Sequence, residues 1–115
     1  MSDCIFCRIV AGEIPAKEVA RTADAVAFYD QNPKAPVHVL VVPNTHYANV
    51  AATDSPEGEL ALGRTMRVAV QVAEQLGLAQ SGYRLVLNTG ADGGQSVGHL
   101  HVHLLGGRSM AWPPG

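Results

Sequence analysis

The sequence predicts an α+β domain. Five extended segments form a largely antiparallel sheet, with one long helix between the third and fourth and a short helix at the N-terminus. Three observations carry that reading. Leu62, Met66, Ala69, Val70, Ala73 and Leu76 recur at helical intervals and make one long amphipathic helix. Val37-His38-Val39-Leu40-Val41-Val42 is almost wholly apolar up to Pro43, as suits a central strand buried on both faces. Gly98 to Leu105 alternates histidine with aliphatic residues at the period of a strand.

Each element has local chemistry behind it. Ile5, Phe6 and Ile9 give a short helical spacing from Cys4 to Ala11, and Gly12 is placed to end that turn. Glu18 to Thr22 and Ala25 to Tyr29 read as a hairpin about Ala23-Asp24. Asp30-Gln31-Asn32-Pro33 is a loop by residue type. Ser55 caps the long helix, Pro56, Glu57 and Glu59 suit its first turn, and Gly77 closes it. Tyr83 to Leu87 and Gly98 to Leu105 supply the last two strands, joined through the Gly-rich loop Asn88 to Gly94. No repeat or linker divides residues 1–115, so a single domain is expected.

Composition excludes some partners. A net charge of -2 provides no basic field that would draw the chain onto nucleic acid. The N-terminal stretch has an acid at Asp3 and no apolar run long enough for a signal peptide or a membrane span, so a cytoplasmic protein is expected. In that compartment Cys4-x-x-Cys7 is unsuited to a structural disulfide, which leaves metal binding or redox work.

Three of the five histidines, His99, His101 and His103, fall at alternate positions of one run. On a strand they form one row, with Leu100, Val102 and Leu104 on the other face. Charged imidazoles side by side repel, so such a row implies neutral imidazole chemistry or a metal. His99 and His103 would lie roughly 13 Å apart on a straight strand, too far for one metal shell without a bend. Nucleophilic use needs only the middle one. Neutral imidazole attacks phosphorus, and flanking histidines can donate to the phosphate oxygens. Gly93 and Gly94 let backbone approach a phosphate closely, and Ser96 adds a hydroxyl.

The run His99-Leu100-His101-Val102-His103-Leu104-Leu105 resembles the signature of the histidine-triad family. Phe28-Tyr29-Asp30, Ala35-Pro36-Val37-His38, Asn88, Asp92 to Val97, Gly106-Gly107-Arg108 and Trp112-Pro113-Pro114-Gly115 are similar to its Hint branch over nearly the whole chain. The resemblance implies a homodimeric hydrolase that cleaves nucleoside 5'-phosphoramidates or related AMP conjugates at the α-phosphorus through a nucleotidyl-histidine. The alternatives are a dinucleoside polyphosphate hydrolase of the Fhit kind and a nucleotide-binding module without turnover. A galactose-1-phosphate type of nucleotidyl transferase is disfavoured, because that branch has glutamine at the third position and this chain keeps His103.

By the same resemblance His101 is the nucleophile, His103 and His38 surround the phosphate, and Ser96 lies near the leaving group. Asn88 and Gly94 contact phosphate, and Asp30 accepts from the ribose hydroxyls. Ile5, Phe6, Ile9, Phe28 and Leu40 make a slot for a purine base, with Gln31 standing where the family often has an apolar wall. Gly98 likewise replaces a commonly larger residue. The tail 106–115 is expected to reach the partner subunit, with Trp112 shaping its leaving-group side. Cys4 and Cys7 at i and i+3 are by spacing half of a tetrahedral metal site. Similarity to bacterial-type members completes it with His46 and His99 as a structural zinc site, with no catalytic metal.

Overall fold

Apolar residues at consecutive positions decide the architecture, because the inner strands Ala25–Tyr29 and Val37–Pro43 bury both faces. The computed structural model describes residues 3–115, so the first two positions of the expected 1–115 domain lie outside the described residues. The strands are β1 (Glu18–Arg21), β2 (Ala25–Tyr29), β3 (Val37–Pro43), β4 (Tyr83–Val86) and β5 (Val102–Gly106). They form one sheet in the order β1-β2-β3-β5-β4, with every neighbouring pair antiparallel. The helices are α1 (Ile5–Val10) and α2 (Pro56–Gln75).

Two cores lie on opposite faces of this sheet. On one, Ala25, Ala27, Val39, Val41, Val102 and Leu104 meet Val68, Ala69, Val72 and Ala73 of α2. On the other, Val26, Phe28, Leu40 and Val42 meet Phe6 and Ile9 of α1. β3 is thus buried on both faces, as its apolar run predicts. Each fully buried Val or Leu contributes roughly 1.5–3 kcal/mol of transfer free energy, and the six sheet residues named here as facing α2 are all completely inaccessible. The helix is thereby held against the sheet by packing.

Local chemistry sets the helix ends. The Ser55 Oγ accepts from the Gly58 N–H at 2.9 Å and caps α2, and Gly77 follows it at φ +76°. Gly58 is required for a second reason. A Cβ there would lie 2.7 Å from the Thr53 carbonyl oxygen, in a 3-10 turn over Val50–Thr53 that sequence patterning does not reveal. At α1 the helix begins one residue later than expected, since Cys4 is its cap and accepts from the Cys7 N–H through Sγ at 3.4 Å.

One expected element is corrected. The last strand does not run from Gly98 to Leu105 but from Val102 to Gly106. The ladder with β3 ends at the pair Val41 and Val102, and Leu100 N–H turns away to donate to the Tyr47 carbonyl at 2.7 Å. His99 and His101 therefore precede the strand, and only His103 stands in it. Strict alternation holds from Val102 onward, with His103 and Leu105 facing away from α2.

Candidate active site

The register of β3 against β5 brings together histidines far apart in the chain. His38 pairs with Leu105 and Leu40 with His103, which sets the two imidazoles side by side on the face opposite α2. His38 Nε2 and His103 Nδ1 are 2.9 Å apart, and His38 Nε2 is 3.4 Å from Asp30 Oδ2. The rings of His101 and His103 are 4.9 Å apart between centroids.

The backbone assigns the tautomers. Lys34 N–H donates to His38 Nδ1 at 3.0 Å, so neutral His38 carries its proton on Nε2. That Nε2–H donates to His103 Nδ1, which leaves the His103 proton on Nε2 as a donor for an incoming ligand. His101 is set the opposite way. Its Nδ1–H donates to the His99 carbonyl at 2.8 Å, so its free lone pair is on Nε2. Burial holds the His38 imidazole below its ordinary pKa against the raising effect of the Asp30 carboxylate, and nearby Lys34 lowers it further. His103 is lowered to about 4, mainly by burial and then by His101 and His38. Both are neutral at neutral pH, as nucleophilic phosphorus chemistry needs.

Asp30, His38 and His103 group as two histidines and a carboxylate within reach of one ion. The hydrogen bonds give that group another use. With Nδ1 of His38 accepting from the backbone, the nitrogen that faces Asp30 and His103 holds a proton and has no lone pair to give. The arrangement is a chain of donors running from Lys34 N–H to His103 Nε2–H.

These groups open on a cavity of about 960 Å³. His38, His101, His103, Ser96 and Asp30 line one part of it, and Ile5, Phe6, Ile9, Phe28 and Leu40 line an apolar part. All ten were expected in the site from the sequence. Asn88, Gly94 and Trp112 do not line the cavity. Asn88 lies two residues past Val86, the partner of His103. Gly94 has φ +77°, and Gly93 could not carry a Cβ, which would sit 2.3 Å from the Thr89 carbonyl oxygen. Trp112 is 82 % exposed.

Sequence reasoning missed two contributors. Gln95 fastens the Gly-rich loop: its Oε1 accepts from Gly90 N–H at 3.0 Å, and its Nε2 donates to the Ala48 carbonyl at 2.7 Å and the Val97 carbonyl at 3.0 Å. An amide among glycines is the only signal that could have found it. Lys34 acts through its backbone, which no side-chain pattern discloses. The far wall of the cavity, with Ile14, Ala16 and Lys17, was also not foreseen.

A second cluster lies across Phe6 from the cavity. Cys4, Cys7, His46 and His99 bring four ligand atoms within 4.8 Å of one another and can hold a metal ion. His99 Nδ1 is 3.3 Å from Cys4 Sγ, 3.5 Å from Cys7 Sγ and 3.1 Å from His46 Nδ1, and His46 Nδ1 is 3.3 Å from Cys7 Sγ. His99 Nε2–H donates to the Pro43 carbonyl at 3.0 Å, which leaves the Nδ1 lone pair aimed into the cluster. Burial lowers the pKa of His99 to about 4, in spite of that carbonyl, with His46 and His101 lowering it further. It is therefore a neutral imidazole whose Nδ1 can serve as a ligand. Among the described residues no helix is long and apolar enough to cross a membrane.

The comparisons with known proteins agree with this geometry. A HIT-like protein of Synechococcus elongatus is 49% identical over 113 residues, covering 98% of this chain and 97% of the relative. The purine nucleoside phosphoramidase of Escherichia coli K12 is 46% identical over 108 residues, 94% of this chain and 90% of that enzyme. In three dimensions, the crystal structure of a HIT family hydrolase from Legionella pneumophila superposes with a TM-score of 0.93 at 45% identity, over 98% of this chain and 100% of that one. The HIT domain model matches residues 11–110, which hold the donor chain, the Gly-rich loop and all three alternating histidines, and the chain belongs to the HIT domain family.

Proposed function

We propose that this chain is a nucleotide hydrolase that cleaves nucleoside 5'-phosphoramidates or related AMP conjugates at the α-phosphorus. The observation that carries the proposal is the His101 imidazole, whose Nδ1–H is held by the His99 carbonyl so that Nε2 presents a lone pair at the cavity. The similarity to a purine nucleoside phosphoramidase over most of both chains supports the substrate class.

In the first step His101 Nε2 forms a bond to the α-phosphorus while the phosphorus–nitrogen bond to the leaving amine breaks, and the amine nitrogen takes up a proton from solvent. Ser96, which lines the cavity, acts on the leaving-group side. The His103 Nε2–H donates to a phosphate oxygen, where negative charge grows. In the second step water attacks the phosphorus and gives up a proton to solvent, offsetting the one taken by the amine, the bond to His101 breaks, and the nucleoside monophosphate departs. Asn88 and the loop at Gly94 contribute phosphate contacts. Asp30 offers ribose hydroxyls its remaining acceptor sites, since Oδ1 already accepts from Asn32 N–H at 2.8 Å and a carboxylate has about four. Ile5, Phe6, Ile9, Phe28 and Leu40 enclose a purine, with the exposed Gln31 amide at the rim.

The metal reading is structural zinc. A regular tetrahedron with zinc–nitrogen bonds of about 2.05 Å and zinc–sulfur bonds of about 2.3 Å has edges of about 3.3 Å between nitrogens and about 3.5 Å between nitrogen and sulfur. The observed separations of 3.1 to 3.5 Å fit that donor set. Two thiolates and two imidazoles close the shell, so a bound zinc would tie α1 to the segments carrying His46 and His99. A cytoplasmic location suits such thiolates. The chain acts as a homodimer in which the exposed tail 106–115 reaches the partner and Trp112 shapes its leaving-group side.

The test is amine release from adenosine 5'-phosphoramidate by wild type and His101→Ala. Wild-type turnover that falls by several powers of ten in the variant supports the proposal. Faster turnover of diadenosine polyphosphate, or nucleotide binding with no turnover in dimeric wild type, counts against it. Sedimentation equilibrium at twice 12.1 kDa is the expected state.

A further inference from the structure

The nucleophile stands where the sheet no longer holds it. His38 and His103 belong to laddered strands, whereas the last ladder pair of β5 is Val41 with Val102, one residue after His101. Gly98, just before the triad, has nothing within 4 Å of where a Cβ would lie, so no side chain steadies that approach. What holds His101 is another set of contacts. Its Nδ1 is bonded to the His99 carbonyl, and the edge of Phe6 meets its ring at a centroid distance of 5.2 Å.

Both contacts lead to the Cys/His cluster. His99 offers its main-chain oxygen to His101 and its Nδ1 to the cluster. Phe6 lies between Cys4 and Cys7 on the first turn of α1 and meets the ring of His99 as well, at 5.9 Å. The Leu100 N–H bond to the Tyr47 carbonyl runs beside His46. Three of the four ligating residues are therefore adjacent in sequence to a group that fixes the nucleophile or its segment.

We infer that the Cys4, Cys7, His46 and His99 cluster, with its metal bound, positions the nucleophile, acting on His101 through His99 and Phe6 as positioning residues. This rests on the reading of the cluster as a metal site. The bound ion supplies fixed ligand directions. The chain's own residues do the rest: His99 presents its carbonyl where it selects the Nδ1–H tautomer of His101, and Phe6 limits rotation of that ring. Without the metal, the cluster keeps thiol–imidazole contacts but loses the fixed ligand directions, and it loosens. The His99 carbonyl then moves, and the His101 proton distributes over both nitrogens, so fewer molecules present Nε2 as a nucleophile.

The experiment compares zinc-loaded wild type, chelator-treated wild type, His46→Ala and His46→Cys at one neutral pH. Zinc content, long-range 1H–15N spectra of the imidazoles, kcat and KM are read for each. His46 is exposed and does not line the cavity, so its replacement removes no group from the substrate site. Expected are a single Nδ1–H signal for His101 with zinc, and mixed tautomers with kcat lowered about 10-fold or more and KM little changed in the metal-free protein and His46→Ala. His46→Cys, which keeps four ligands, regains zinc, the single tautomer and kcat. Phe6→Leu, with its ligands intact, serves if loss of metal unfolds the chain, and it is expected to mix the tautomers at full zinc content.

An unchanged His101 tautomer and kcat in the metal-free and His46→Ala proteins would overturn the inference and leave the cluster as a staple. Wild type that binds no zinc overturns the metal reading and this inference together. If zinc-loaded wild type turns over no phosphoramidate, the activity reading alone fails, and the imidazole spectra still decide.

Discussion

Replacing Gln95 tests whether the Gly-rich loop is held by that one amide. The side chain makes three hydrogen bonds, to Gly90 N–H, the Ala48 carbonyl and the Val97 carbonyl. A net 0.5–1.5 kcal/mol for each would suggest about 3 kcal/mol for the set. That figure is too large, because Gly90 and Ala48 are exposed and water replaces the lost partner there. Only the Val97 bond is partly buried. A loss of about 1–2 kcal/mol for Gln95→Ala follows. Gln95→Glu should be worse although it is nearly isosteric. The carboxylate keeps the Gly90 contact, but it turns two donor bonds into an anion against two carbonyl oxygens, at 2.7 and 3.0 Å in the parent geometry. Urea unfolding at pH 7 gives the stability of each variant, and amine release gives kcat. Both variants should lower kcat, since the loop leads into Ser96 and the histidine run. Midpoints and kcat equal to wild type in both, or Glu better tolerated than Ala, would refute the reasoning.

Other perturbations have equally definite outcomes. Gly93→Ala should lower kcat/KM by about 100-fold with a small change in melting temperature, because a Cβ 2.3 Å from the Thr89 carbonyl oxygen displaces the Gly-rich loop and not the core. Cys4→Ser should lose bound zinc on elemental analysis and melt lower, while unchanged metal content and stability would end the zinc reading. Stability should fall as pH drops from 6.5 toward about 4, because unfolded imidazoles bind protons near 6.5 while burial lowers native His103 to about 4 and holds native His38 below its ordinary value. The unfolded state binds more protons in that window, so the slope of unfolding free energy with pH is positive there, and His103→Asn should flatten it. His99 adds the same sign in metal-free protein.

Much of the site was legible in the sequence because its signals are local. The apolar run of β3, the cap at Ser55 and the His-aliphatic alternation depend on neighbours within a few residues, where burial period and turn chemistry act directly. The slot residues Ile5, Phe6, Ile9, Phe28 and Leu40 came from family resemblance. By composition alone they are ordinary core, and Phe6 and Leu40 are in fact buried in the core on the sheet face opposite α2.

By itself the sequence determined which residues could do chemistry: neutral-imidazole candidates in a row, glycines that admit a phosphate, and two thiols one helical turn apart. Tertiary structure decided what each one does. Pairing of β3 with β5 places His38 against His103 across 65 positions of chain, and Lys34 N–H then sets the direction of the donor chain. The late start of β5 leaves His99 and His101 outside the strand and gives the alternating imidazoles different hydrogen-bond partners, which a regular strand would not do. The physical reason is that a tautomer depends on which hydrogen-bond partner each nitrogen meets, and those partners are backbone groups delivered by distant segments.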